Sequence, residues 1–114
     1  MRMHYNEADQ AIFTTHYNPN FDHALHQIHG GLIAMMIDNA GWFTVAPHFD
    51  YWVATVEFNI RLHEPVAKET LISIGKIVHL GKRLSSCEME VKSSAGNLIA
   101  TGAGSFLVTN VEFK

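Results

Sequence analysis

The stretch His29-Gly30-Gly31-Leu32-Ile33-Ala34-Met35-Met36-Ile37-Asp38-Asn39-Ala40-Gly41-Trp42 decides how the rest of this 114-residue chain is read. From Gly31 to Ala46 nearly every residue is apolar or small, so a helix here is hydrophobic on all sides and belongs inside a core. Pro47 marks its end, because a proline ring cannot continue the ladder of backbone hydrogen bonds. One carboxylate, Asp38, falls in the middle of the run. An unpaired buried charge is costly, so Asp38 needs a partner, a shifted pKa or a job.

On the N-terminal side, Met1 to Gln10 shows no usable periodicity and reads as a loosely held surface segment. Ala11 to Tyr17 reads as a short strand, and Asn18-Pro19-Asn20-Phe21-Asp22 as a loop leading through residues 23–28 to the helix. Beyond the helix the period of the apolar residues falls to 2, the mark of strands. Trp52, Ala54, Val56, Phe58, Ile60 and Leu62 form one apolar face of the clearest strand, and Val53, Thr55, Glu57, Asn59, Arg61 and His63 form the other, mainly polar face. Thr70 to Leu80, the segment around Cys87, Met89 and Val91, and Leu98 to Thr109 read as three further strands separated by turns at Gly81-Lys82 and Gly96-Asn97. Ala100, Gly102 and Gly104 leave room on the last strand for another backbone, expected to be that of the helix. The result is an α+β domain spanning residues 1–114, an antiparallel sheet wrapped around one long helix. Its long strand from Tyr51 to His63 is a candidate to pair with a second copy across a two-fold axis.

A net charge of -3 supplies no basic stripe for a nucleic-acid backbone. The single cysteine, Cys87, excludes a disulfide framework and a cysteine zinc site, as expected of a cytoplasmic protein. Residues 1–10 lack the apolar core of a signal peptide, and no apolar run reaches the ~18 residues of a membrane helix. The expectation is therefore no nucleic-acid partner and no membrane.

His29-Gly30-Gly31, Asp38-Asn39, Thr55-Val56-Glu57-Phe58-Asn59-Ile60 with Pro65, and Gly81-Lys82-Arg83 together resemble the hot-dog-fold acyl-CoA thioesterases of the phenylacetate-degradation (PaaI-like) type. The resemblance covers about His23 to Thr109. It implies that Gly30 offers its N–H to the thioester carbonyl and that Asp38 is the nucleophile or the base for water. It also implies that Thr55 positions water or the acid. Where relatives carry an Asn or Gln seven residues before Gly30, this chain has His23, which can still donate a hydrogen bond but brings sensitivity to pH.

The chemistry of these residues is consistent with such roles. N–H groups in a first helical turn lack internal partners and carry the positive end of the helix dipole, so Gly30 and Gly31 suit a carbonyl oxygen that gains negative charge. Gly30 and Asp38 are eight residues apart, about 12 Å along one helix, too far to act on one carbonyl carbon. Two antiparallel helices from two copies bring the N-terminus of one to the acid of the other.

Each assignment has a plainer competitor. Asp38 could be a structural acid, and His29 reads as an orienting or capping residue more readily than as a base. His23, His26 and His29 have a spacing that could meet a metal, but no carboxylate or cysteine completes a familiar set. Gly81, Lys82 and Arg83 form either a solvated turn or a dock for the phosphates of coenzyme A. Met35 and Met36 read as core, with the lining of an acyl pocket as the alternative for one of them, and Cys87 reads as a small buried hydrophobe. The function expected is that of a homodimeric or homotetrameric acyl-CoA thioesterase needing no metal or bound cofactor, CoA being part of the substrate. Its alternatives are a non-catalytic acyl-CoA sensor and a hot-dog hydratase or dehydratase.

Overall fold

The computed structural model describes residues 1–112. The elements are β1 (Arg2–Tyr5), β2 (Ala11–Thr15), α1 (Gly30–Val45), β3 (Tyr51–Leu62), β4 (Leu71–His79), β5 (Leu84–Ser93) and β6 (Leu98–Glu112), with short 3₁₀ turns at Pro19–Phe21 and Ala46–His48. All six strands belong to one antiparallel sheet of order β1-β2-β4-β5-β6-β3. The sheet wraps around α1. Met36, Ile37, Ala40 and Val45 of the helix are fully buried, and Phe106, Val91, Leu71 and Val53 close over them from the strands.

Helix and sheet come close together at Gly75 on β4, where a Cβ would run into the backbone carbonyl of Ala40. Thr44 fastens the same region by donating to the Ala40 carbonyl at 2.7 Å and accepting from the Ala11 N–H at 2.9 Å. At Gly102 the expectation for the small residues of β6 is met in part: a Cβ there would sit 2.9 Å from Ile37 Cγ2 of the helix, but the backbone that comes close is that of β3, with the Asn59 carbonyl at 2.5 Å.

Three expectations are corrected. Residues 2–5 are not a loose segment but a strand, β1, paired with β2 from Arg2↔Thr14 to Tyr5↔Ala11. Tyr5 supplies the tertiary tie that the sequence pattern does not reveal, its hydroxyl donating to the Phe43 carbonyl at 2.7 Å. The helix, secondly, is not enclosed on every side within one chain. Gly31 and Met35 are exposed, and Asp38 and Trp42 only partly buried, a stripe at helical spacing that the sheet leaves uncovered.

Thirdly, β3 does not keep one apolar face. Its register with β6 runs Thr55↔Phe106 and then Glu57↔Ser105, which leaves Val56 as the extra residue of a β-bulge. Val53 and Thr55 face the helix before the bulge, and Phe58 and Ile60 pack on the core after it. Trp52 and Val56 are left exposed at 49% and 55%. The indole N–H of Trp42 donates to the Val53 carbonyl at 2.6 Å, and its ring lies 5.0 Å from that of Trp52.

Candidate active site

The helix begins where His29 caps it. Its extended backbone precedes Gly30, and its Nδ1 accepts from the Gly31 N–H at 2.8 Å. The Leu32 N–H in turn donates to the His29 carbonyl at 3.1 Å. The pair of free donors expected at Gly30 and Gly31 is therefore reduced to one. Gly31 is consumed by the cap, and among the described residues no acceptor meets the N–H of Gly30. An accepting Nδ1 leaves the proton of neutral His29 on Nε2, which fits the capping role and not that of a base acting through Nδ1.

His23 lies on a tight hairpin closed by His23 N–H to the Gln27 carbonyl at 2.8 Å and His26 N–H to the His23 carbonyl at 3.0 Å. Its Nδ1 accepts from the Leu25 N–H at 3.0 Å. In neutral form Nε2 then carries the proton and remains a donor. His23 and Gly30 line one cavity of about 300 Å³, with Leu62, His63, Glu64 and Pro65 from the end of β3 and the loop after it. Among the described residues no group of three or more His, Cys, Asp or Glu side chains converges as a metal site, so the His23, His26 and His29 spacing does not become a ligand set.

Asp38 sits two turns further along α1, outside that cavity. The Thr55 hydroxyl donates to its Oδ1 at 2.8 Å. Strict alternation assigns Thr55 only to the face opposite Trp52 and Val56; the bulge leaves that face turned toward the helix at this position. One carboxylate oxygen is thus held, and Oδ2 has no hydrogen-bond partner among the described residues. Met35 and Trp42 flank the acid on the uncovered stripe.

Gly81, Lys82 and Arg83 form the β4–β5 turn, tied to β6 by the Val108 N–H donating to the Arg83 carbonyl at 2.8 Å. Gly81 has a conformational duty here, since a Cβ would collide with the Leu84 carbonyl. Lys82 and Arg83 share a surface concavity with Tyr51, which the sequence reading did not single out. The sheet places this turn level with Val53, toward the Asp38 end of the helix and away from Gly30.

The chain thus brings the expected residues together as two separate groups, Gly30 with His23 and Asp38 with Thr55. Residues 25–100 match the family described as the thioesterase superfamily. The chain belongs to the thioesterase superfamily. A relative from Saccharolobus solfataricus named "Putative esterase SSO2140" is 30% identical over 113 residues, covering 95% of this chain and 79% of the relative. The BH2602 protein of Bacillus halodurans, solved with CoA, is 26% identical with a TM-score of 0.89, over 97% of this chain and 75% of that one. The PaaI protein of E. coli, from the phenylacetic acid degradation operon, is 17% identical with a TM-score of 0.83, over 91% and 75% of the two chains. At that identity PaaI supports the fold alone. The thioesterase-superfamily sheet wrapped on one helix is the hot-dog fold expected from the sequence. No helix among the described residues is long and apolar enough to cross a membrane.

Proposed function

We propose that this chain hydrolyses an acyl-CoA thioester to a carboxylic acid and free CoA, at two equivalent sites of a two-fold dimer. The observation that carries the reading is the Thr55–Asp38 hydrogen bond, which holds an acid on a helix stripe that its own sheet leaves open. The superfamily match and the CoA in the related Bacillus halodurans structure support the substrate class.

The second copy comes in along β3. This 12-residue strand is an edge of the sheet, and its backbone groups on the open side suit pairing with another strand. A two-fold axis that brings Gly30 of one helix to Asp38 of the other crosses each helix near Ala34, whose small side chain permits close approach. The Gly30 N–H of one protomer then takes the thioester carbonyl oxygen. Oδ2 of Asp38 from the other protomer removes a proton from water, whose oxygen attacks the carbonyl carbon. Collapse of the tetrahedral intermediate breaks the C–S bond, and the departing CoA sulfur leaves as thiolate or takes back the proton from Asp38. Lys82 and Arg83 attract the phosphates of CoA.

Incubation with a panel of acyl-CoA esters and a thiol-trapping dye tests the reading. Cys87 adds little background, because it is buried and its thiol is pushed up to about 11 by desolvation. Release of CoA by the wild type, lowered about 10²-fold or more in a folded Asp38→Asn variant, supports hydrolysis. Binding of the esters without release would leave an acyl-CoA binding protein in its place.

A further inference from the structure

We propose that Tyr51 is the platform on which the adenine of CoA stacks, an inference that rests on the acyl-CoA reading above. Tyr51 opens β3 and is 41% exposed. It shares a concavity of about 720 Å³ with Lys82, Arg83, Leu107, Asn110 and Glu112. Among the described residues neither Lys82 nor Arg83 takes part in an ion pair, so both cations are available to an anion. Two free cations beside an aromatic face match a phosphorylated purine: the charges meet phosphates, and the ring offers a stacking surface. Exposed Leu107 adds apolar area, while the Glu112 carboxylate and Asn110 amide can accept from the exocyclic amine of adenine.

The backbone that carries the platform is also held in place. Tyr51 is paired with Glu112 across the β3–β6 ladder. Next to it, Thr109 donates from Oγ1 to the Trp52 carbonyl at 2.8 Å and accepts from the Val111 N–H at 3.2 Å. These bonds fix the ends of both strands where the ring stands, which lowers the ordering cost of stacking.

The test uses adenosine 3′,5′-bisphosphate, the nucleotide end of CoA without its arm, titrated into the intact protein by calorimetry. Tyr51→Ala is expected to weaken its binding about tenfold, the size of one base–aromatic stack, while Tyr51→Phe keeps the ring and most of the affinity. In kinetics, Tyr51→Ala should reduce the preference for acyl-CoA over the matching acyl-pantetheine by a similar factor through KM. Equal affinity of Tyr51→Ala and wild type for the bisphosphate would overturn the proposal, as would equal losses on acyl-CoA and acyl-pantetheine. Tyr51-dependent binding in a protein that releases no CoA would retain the nucleotide site and remove the hydrolase reading. Hydrolysis without any dependence on Tyr51 would do the reverse.

Discussion

The Thr55 hydroxyl donates to Asp38 Oδ1 across 2.8 Å although the two residues are 17 positions apart in the chain. The bulge at Val56 is what reconciles this contact with the packing of Phe58 and Ile60 on the core beyond it. A straight strand with those residues inside would turn Thr55 away from the acid.

Because this bond orients the acid, Thr55→Val should lower kcat more than it raises KM. Hydrogen bonds to charged groups contribute about 1.5–3 kcal/mol, so a loss on the order of 10- to 100-fold is expected, with most activity retained in Thr55→Ser. Steady-state kinetics of the two variants check this. Equal turnover by Thr55→Val and wild type would make the bond structural only.

His23 has two separable places in the structure: its Nδ1 accepts from the Leu25 N–H, and the residue lines the cavity shared with Gly30. His23→Asn can keep both, since an amide accepts and donates. His23→Asp can keep the turn but has no donor. If Nε2–H helps to hold the thioester oxygen, His23→Asp should lose about 10²-fold in kcat, as when one oxyanion donor is removed, and His23→Asn should lose far less. Similar kcat values for the two variants would limit His23 to holding the turn.

Replacing Lys82 and Arg83 together with Ala should raise KM for acyl-CoA, leave kcat close to wild type and flatten the dependence of KM on salt. Exposed cations act on phosphates through an attraction that is screened beyond about 10 Å at 0.1 M ionic strength. Measuring KM at low and high salt decides it, an unchanged KM returning the turn to plain surface.

The helix, five of the six strands and the acid were legible in the sequence because each rests on local signals: an unbroken apolar run ended by proline, apolar residues at a period of two between turn residues, and a lone carboxylate among apolar neighbours. What was hidden depended on pairing. The strand β1 has no periodicity of its own and is defined by its ladder to β2 and the Tyr5–Phe43 bond. The Val56 bulge is a property of the register with β6, so alternation alone misassigns Trp52 and Val56 to the interior. Composition likewise cannot separate a helix enclosed by its own sheet from one that keeps an apolar stripe open, because both are equally apolar. The competition between His29 and a ligand for the Gly31 N–H required the cap geometry itself.

The most direct test of the shared site uses two variants, Gly30→Pro, which removes the proposed oxyanion N–H at a position where proline is tolerated in a helix, and Asp38→Ala, which removes the acid. Each homodimer should be nearly inactive. In a mixed dimer one site combines the intact Gly30 of one chain with the intact Asp38 of the other, while the second site carries both defects. With random exchange half the dimers are mixed and each has one working site, so activity should return to about a quarter of the wild-type value. Native mass measurement of tagged chains establishes that exchange has taken place. Recovery to that level is the result predicted; folded, verified mixed dimers as inactive as their parents would contradict a site built by two chains.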